Sequence, residues 1–199
     1  MLFQKCITLA NQYVQAQLAT ATATLFDAEG AKEIVARLRQ LDWIYEHVVD
    51  LESKEINDYE RTHGALQVDQ NVVIVYLSQD VMDDSSVPFT THEELRVFAE
   101  AFYYTAHRLL VILTQNAAGL PHLRRINANG IRRVRNNLLE HANKKGGRPS
   151  YTFSVSNASG TRFRPLARAE EPDAYLDEGI HANAKQLCTE LENLLMTVV

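Results

Sequence analysis

Apolar residues recur at steps of three and four along four stretches of the chain, and each stretch predicts a helix with one buried face. In the first, Phe3, Ile7, Ala10, Val14, Leu18, Ala21 and Leu25 keep this spacing. The alternating Thr20, Thr22 and Thr24 weaken its end, because β-branched side chains lose rotamer freedom in a helix. Asp27 is placed to cap a second helix with Ile34, Leu38, Leu41, Tyr45 and Val48 on its inner face. Continued through Ile56 and Tyr59, it becomes the longest element. A capping box, Thr90 with Glu93 or Thr91 with Glu94, precedes a third helix. Its stripe is Leu95, Phe98, Phe102, Ala106, Leu109 and Leu113. The last helix follows Pro172 and Asp173 and turns Ile180, Ala184, Leu187, Leu191, Leu194 and Val198 inward.

A shorter helix is predicted from Asn127 or Asn129 to Asn143, with Ile131, Val134 and Leu138 buried. Gly119-Leu120-Pro121 breaks the chain before it and Gly146-Gly147 after it. Tyr151 to Ser156 and Thr161 to Leu166 then alternate with period two around Asn157-Ala158-Ser159-Gly160, which predicts a hairpin with a four-residue loop. The run from Val72 to Leu77 fits either a strand or a buried helix, since so short an apolar stretch has no period of its own. The expected architecture is all-α: an up-and-down bundle of four to five helices carrying a small β-hairpin. It forms one domain over residues 1–199, with the basic motif helix and hairpin at about 120–168.

Composition adds little until charge is mapped along the chain. Apolar residues make up 46% and charged residues 23%, ordinary for a globular domain, and the net charge is −5. Between Leu120 and Arg168, however, stand eleven basic residues and a single acid, Glu140, a local balance of +10. The remainder holds nine basic and 24 acidic residues, or −15. Such a block can capture phosphates while the rest of the surface resists nonspecific nucleic acid. The longest apolar runs fall far short of the ~20 residues of a membrane span. Lys5 followed by Asn11, Gln12, Gln15 and Gln17 does not read as a signal peptide. A soluble, cytoplasmic protein is expected, with no membrane partner. Cys6 and Cys188 are too few and too widely spaced for a disulfide framework and fit a reducing compartment as small core residues.

Few chemistries match the remaining residues. The histidines include no i,i+4 pair and none stands near a cysteine, so spacing offers no zinc site. Lys144-Lys145-Gly146-Gly147 lacks the order of a phosphate loop, and no serine-hydrolase elbow or cofactor motif occurs. What stands out is Arg135-Asn136-Asn137-Leu138-Leu139-Glu140-His141 inside the basic block. Residues six apart on a helix are separated by roughly 120° around its axis, so Arg135 and His141 flank one exposed side opposite Val134, Leu138 and Leu139. Arginine offers a planar pair of donors to a phosphate, and histidine exchanges a proton near neutral pH. The plain reading of the same residues is a solvated helix end, where cations are favourable against the dipole by about 0.3–1 kcal/mol each. Tyr103, Tyr104 and His107 of the third helix are read as core or boundary residues, with pocket lining as the alternative.

Arg135-Asn136 followed by His141 resembles the R-x(4–6)-H motif of the HEPN superfamily, in which a polar residue often follows the arginine. A helical bundle with the motif late in its penultimate helix is similar to that family's fold. The resemblance implies a metal-independent endoribonuclease of toxin or antiviral-defence type. It implies His141 in proton transfer, Arg135 stabilising the phosphorane and Asn136, with Asn137 beside it, orienting the pair. In-line cleavage benefits from a base and an acid, yet each chain supplies one such histidine. A two-fold homodimer with a composite site is therefore expected, as in family members. Arg132, Arg133, Lys144, Lys145, Arg148, Arg162 and Arg164 are the candidate RNA-backbone contacts. An antitoxin or regulatory protein is a further expected partner. Asn143 stands where toxins paired with a nucleotidyltransferase antitoxin carry Tyr, so the resemblance does not extend to that subgroup. The alternatives are a non-catalytic HEPN-like module holding nucleotide, RNA or protein on the same patch, and a plain helical scaffold.

Overall fold

A computed structural model describes residues 1–20, 28–64, 73–76, 90–116, 126, 128–135, 151–165 and 179–197. In chain order these form α1 (Gln4–Thr20), α2 (Ala28–His63), β1 (Val73–Tyr76), α3 (Thr91–Asn116), α4 (Asn129–Arg133), β2 (Tyr151–Ser156), β3 (Arg162–Pro165) and α5 (Ile180–Met196). The architecture is the expected helical bundle with a small β unit attached.

The predicted stripes are the buried faces. Phe3 just before α1, Ile7, Ala10 and Val14 of α1, and Ile34, Leu38, Leu41 and Val48 of α2 are all buried. They meet Leu95, Phe102, Ala106, Leu109 and Leu113 of α3 in one continuous core, which Leu187, Leu191 and Leu194 of α5 complete. The long α2 is the spine, packing chiefly on α3 and α1, while α1 also lies along α5. A carboxylate sets the angle at the start of α1: Asp42, 5% exposed on α2, accepts the Phe3 N–H at 2.9 Å. That bond satisfies a donor which the helix itself leaves unmatched. Asp27 and the stretch 21–27 lie outside the described residues, as do Pro172, Asp173 and Val198.

The start of α3 selects Thr90 and Glu93 from the two possible capping pairs. Glu93 reaches back to accept the Thr90 backbone N–H at 2.8 Å and its hydroxyl at 2.9 Å. The backbone and hydroxyl donors of Thr90 hold the Glu93 carboxyl below its ordinary value of 4.5. A depressed folded-state value adds stability that is fully present above the unfolded value and is lost as pH falls through the lowered one. The urea midpoint of the wild type is therefore expected to drop more steeply than that of Glu93→Gln as pH falls below the ordinary carboxyl value of 4.5. Parallel profiles of the two chains would exclude the assignment.

The sheet is larger than the predicted hairpin. β1 pairs antiparallel with β2, Val73 opposite Ser156 through Tyr76 opposite Phe153, so the order is β1-β2-β3. The ambiguous apolar run is thus a strand, and β2 is central, with Phe153, Ser154, Val155 and Ser156 all buried. The loop is one residue shorter than expected. Ser156 and Gly160 exchange both backbone bonds (3.1 and 2.8 Å), leaving Asn157, Ala158 and Ser159 as the turn. Phe153 faces Phe163 across the ladder, and Phe163 packs edge-on against Tyr103 of α3, which anchors the sheet to the bundle.

Buried Ile131 and Val134 pin α4 to the bundle, and Val134 keeps helical angles (φ −60°, ψ −52°) beyond its last turn. Gly130 makes the approach to α5 possible, because a Cβ there would overlap the amide of Asn183. That amide, 4% exposed, donates to the Tyr103 hydroxyl at 3.1 Å and ties α5 to α3. Residues 136–150, which include the remainder of the predicted motif helix up to Asn143, lie outside the described residues.

Candidate functional site

The predicted site residues fall into three groups. Arg132, Arg133 and Arg135 sit on and just after α4, half-buried. The Arg135 guanidinium carbon lies 5.9 Å from the ring centre of Tyr104, and that ring is 41% exposed. A cation over an aromatic face is held in place without surrendering its charge. Tyr103, the neighbour of Tyr104, is by contrast fully buried, so the plain reading of it as a core residue holds. Arg162 and Arg164 lie on β3. Asn136, Asn137, His141, Lys144, Lys145 and Arg148 lie outside the described residues.

The side chain of Arg162 leads to a cavity that the sequence pattern does not foretell. About 620 Å³ in volume, it lies between α2, the β2–β3 turn and the start of α5. Its walls include Glu52 and Asn57 of α2, Ser156 and Ser159 of the turn, Arg162, and His181. Glu52 organises these parts. It is 8% exposed, and one carboxylate oxygen accepts the Thr161 backbone N–H at 2.6 Å. The other faces His181 Nε2 at 2.6 Å, and His181 Nδ1 meets the Tyr45 hydroxyl at 2.8 Å. One acid thereby joins α2 to the hairpin and to the first turn of α5.

Donor and acceptor roles follow from these partners. A carboxylate only accepts, so Nε2 carries a proton. Burial pushes the Tyr45 phenol up to about 12, so it keeps its own proton at neutral pH. In the neutral imidazole, Nδ1 accepts from Tyr45. Both ring nitrogens are then hydrogen-bonded, and the proton nearest the Nδ1 lone pair is that of the Tyr45 hydroxyl. The turn is organised by a similar saturation. Ser156 Oγ accepts the N–H groups of Ala158 (3.2 Å) and Ser159 (3.1 Å), which uses both lone pairs. Its hydroxyl also meets Ser159 Oγ at 3.0 Å, and Ser159 lines the cavity.

The cavity thus brings the Arg162 cation and the Ser159 side chain to one hollow, beside the Tyr45–His181–Glu52 chain of hydrogen bonds. A signal for it was present: Glu52 continues the buried stripe of Leu41, Tyr45 and Val48 by one further turn. A charged residue at an inward position is rarely tolerated unless paired. His181 gave no such hint, since its partners lie on other elements. The two cysteines also prove to be neighbours, buried on facing helices with their sulfurs 3.8 Å apart. No helix among the described residues is long and apolar enough to cross a membrane. Compared with family models, with curated proteins and with solved structures, the chain finds no match in any of the three.

Proposed function

We propose that the protein is a metal-independent endoribonuclease of HEPN type, acting in the cytoplasm in a toxin or antiviral-defence role. The observation that carries this reading is Arg135. Two buried residues, Ile131 and Val134, fix the backbone just before it, and its guanidinium stands against the half-open Tyr104 ring. A fixed cation beside an accessible aromatic face fits RNA, which offers a phosphate to one and a base to the other. The +10 block around it supplies the longer-range attraction.

In this reading the RNA 2′-hydroxyl attacks the adjacent phosphorus while its proton passes to His141. The bond to the 5′-oxygen breaks, and that oxygen takes a proton from the second histidine of a homodimer. The products are a 2′,3′-cyclic phosphate and a 5′-hydroxyl. Arg135 offsets the charge that builds on the phosphorane, with Asn136 beside it. Gel assays on mixed RNA are expected to show cleavage that survives EDTA. Arg135→Ala and His141→Ala are each expected to slow it by about a hundredfold or more. Cleavage that needs a divalent ion, or that persists in both variants, overturns the proposal.

A second reading draws on the cavity. Arg162 belongs to the basic block, and it lines a hollow of about 620 Å³. A cation at such a hollow favours a non-catalytic module which holds a phosphate-bearing nucleotide or RNA end. Salt-sensitive binding without cleavage, lost in Arg162→Ala and kept in His141→Ala, is the result that selects it.

A further inference from the structure

The first and last helices of the chain meet along a seam that carries three ligand-type side chains. Cys6 of α1 is fully buried and Cys188 of α5 is 5% exposed, although 182 positions separate them in sequence. Their sulfurs are 3.8 Å apart. Glu192 follows Cys188 by one helical turn and brings Oε1 to 3.6 Å from its sulfur. All three ligand atoms lie within 4.8 Å of one another. The Leu2 carbonyl oxygen adds a fourth polar atom, 3.2 Å from Cys188 Sγ.

The sulfur–sulfur spacing and the Cys188–Glu192 spacing match two edges of a coordination tetrahedron. With zinc–sulfur bonds of about 2.3 Å and a zinc–oxygen bond of about 2.0 Å, tetrahedral angles place sulfurs about 3.8 Å apart and sulfur and oxygen about 3.5 Å apart. Two thiols in simple packing contact would not need a carboxylate aimed at them. Here Glu192 is oriented by its second oxygen, which takes Lys5 Nζ at 2.6 Å and leaves Oε1 turned toward the sulfurs. A ligand carboxylate held from behind by a hydrogen bond is a common support of metal sites.

We infer that Cys6, Cys188 and Glu192 form a site for a thiophilic divalent cation, Zn²⁺ before others, completed by the Leu2 carbonyl or a water. Binding breaks two S–H bonds, forms two metal–sulfur bonds and releases two protons to solvent. Two thiolates and one carboxylate set three negative charges against the ion's two, and the Lys5 ammonium balances the one remaining. Thiolate ligands select zinc, cobalt or cadmium over magnesium and calcium. The ion would lock α1 to α5, a structural role that uses nothing of the basic block.

The test is a Co²⁺ titration of the full chain, stripped with EDTA and reduced with a phosphine. Expected are thiolate-to-cobalt charge-transfer bands and the strong visible bands of tetrahedral Co²⁺, saturating at one ion per chain and abolished by Zn²⁺. Two protons should be released per ion in weak buffer, and Zn²⁺ should raise the melting temperature. Cys6→Ser and Cys188→Ser should each lose the tetrahedral spectrum, and Glu192→Gln should weaken Co²⁺ binding about tenfold or more. Should a serine variant fail to fold, the Glu192→Gln titration decides alone. A weak octahedral spectrum, binding indifferent to all three substitutions, or a pair that takes no cobalt and only oxidises to a disulfide overturns the inference. Because the readout is spectroscopic, it stands whatever the RNA assay shows.

Discussion

Gly160→Ala is expected to destabilise the protein by about 3 kcal/mol or more, the sum of a backbone cost and a steric one. Gly160 has φ +67°, in the left-handed region, where a side chain costs about 1–2 kcal/mol. A Cβ there would also overlap the His181 ring and come within 2.9 Å of Glu52 Oε1. Neither neighbour can move freely, since His181 is held at both nitrogens and Glu52 at both oxygens. Such overpacking of a fixed site costs about 1–3 kcal/mol more. Gly64 isolates the first contribution. It ends α2 at φ +97°, with its N–H on the Glu60 carbonyl, and among the described residues beyond its chain neighbours nothing lies within 4 Å of where an added methyl would stand. Gly64→Ala should therefore cost about 1 kcal/mol, the backbone share alone. Urea denaturation of both variants checks the difference, and equal losses would mean that the Glu52–His181 pair does not crowd Gly160.

Which parts of this architecture could be read from the chain follows from the range over which each is encoded. The stripes of α1, α2, α3 and α5 repeat every three or four residues, so each helix declares its own inner face. The β2–β3 hairpin is similarly local, with a small-residue turn between two alternating segments. The alternation overstates its loop by one residue, because Gly160 pairs with Ser156 and so belongs to the ladder. β1 is different. Val73 finds its partner Ser156 far along the chain, and a short run that is apolar on both faces carries no period to reveal it. The same holds for chemistry. Arg135, Asn136 and His141 stand out because they lie within one helix-sized window. Cys6 with Cys188, and Glu52 with His181, become neighbours only when α5 closes on α1 and α2. Glu52 is the partial exception, an acid on an inward stripe, which signals a buried pairing without naming its partner.

Glu52→Ala is expected to destabilise the bundle by about 3–5 kcal/mol. The wild-type carboxylate satisfies the backbone N–H of Thr161, a residue with no exposed surface. Removing the acceptor leaves that donor buried and unmatched, a cost of about 1–3 kcal/mol. The charge-assisted bond to His181 is lost as well, about 1.5–3 kcal/mol more before solvent screening. His181→Ala should cost less, about 1–2 kcal/mol, because its side chain is 35% exposed and Glu52 keeps its bond to Thr161. Tyr45→Phe removes one hydroxyl from the end of the chain of bonds and should cost about 1 kcal/mol. The order Glu52 above His181 above Tyr45 distinguishes a carboxylate that organises three elements from an ordinary surface ion pair, for which all three losses would fall below about 1 kcal/mol. Denaturation midpoints give the order. Amide exchange at Thr161 adds a local readout: it should accelerate strongly in Glu52→Ala and little in Tyr45→Phe. Unchanged protection of that amide in Glu52→Ala would show that the hairpin is held to α2 by something other than this carboxylate.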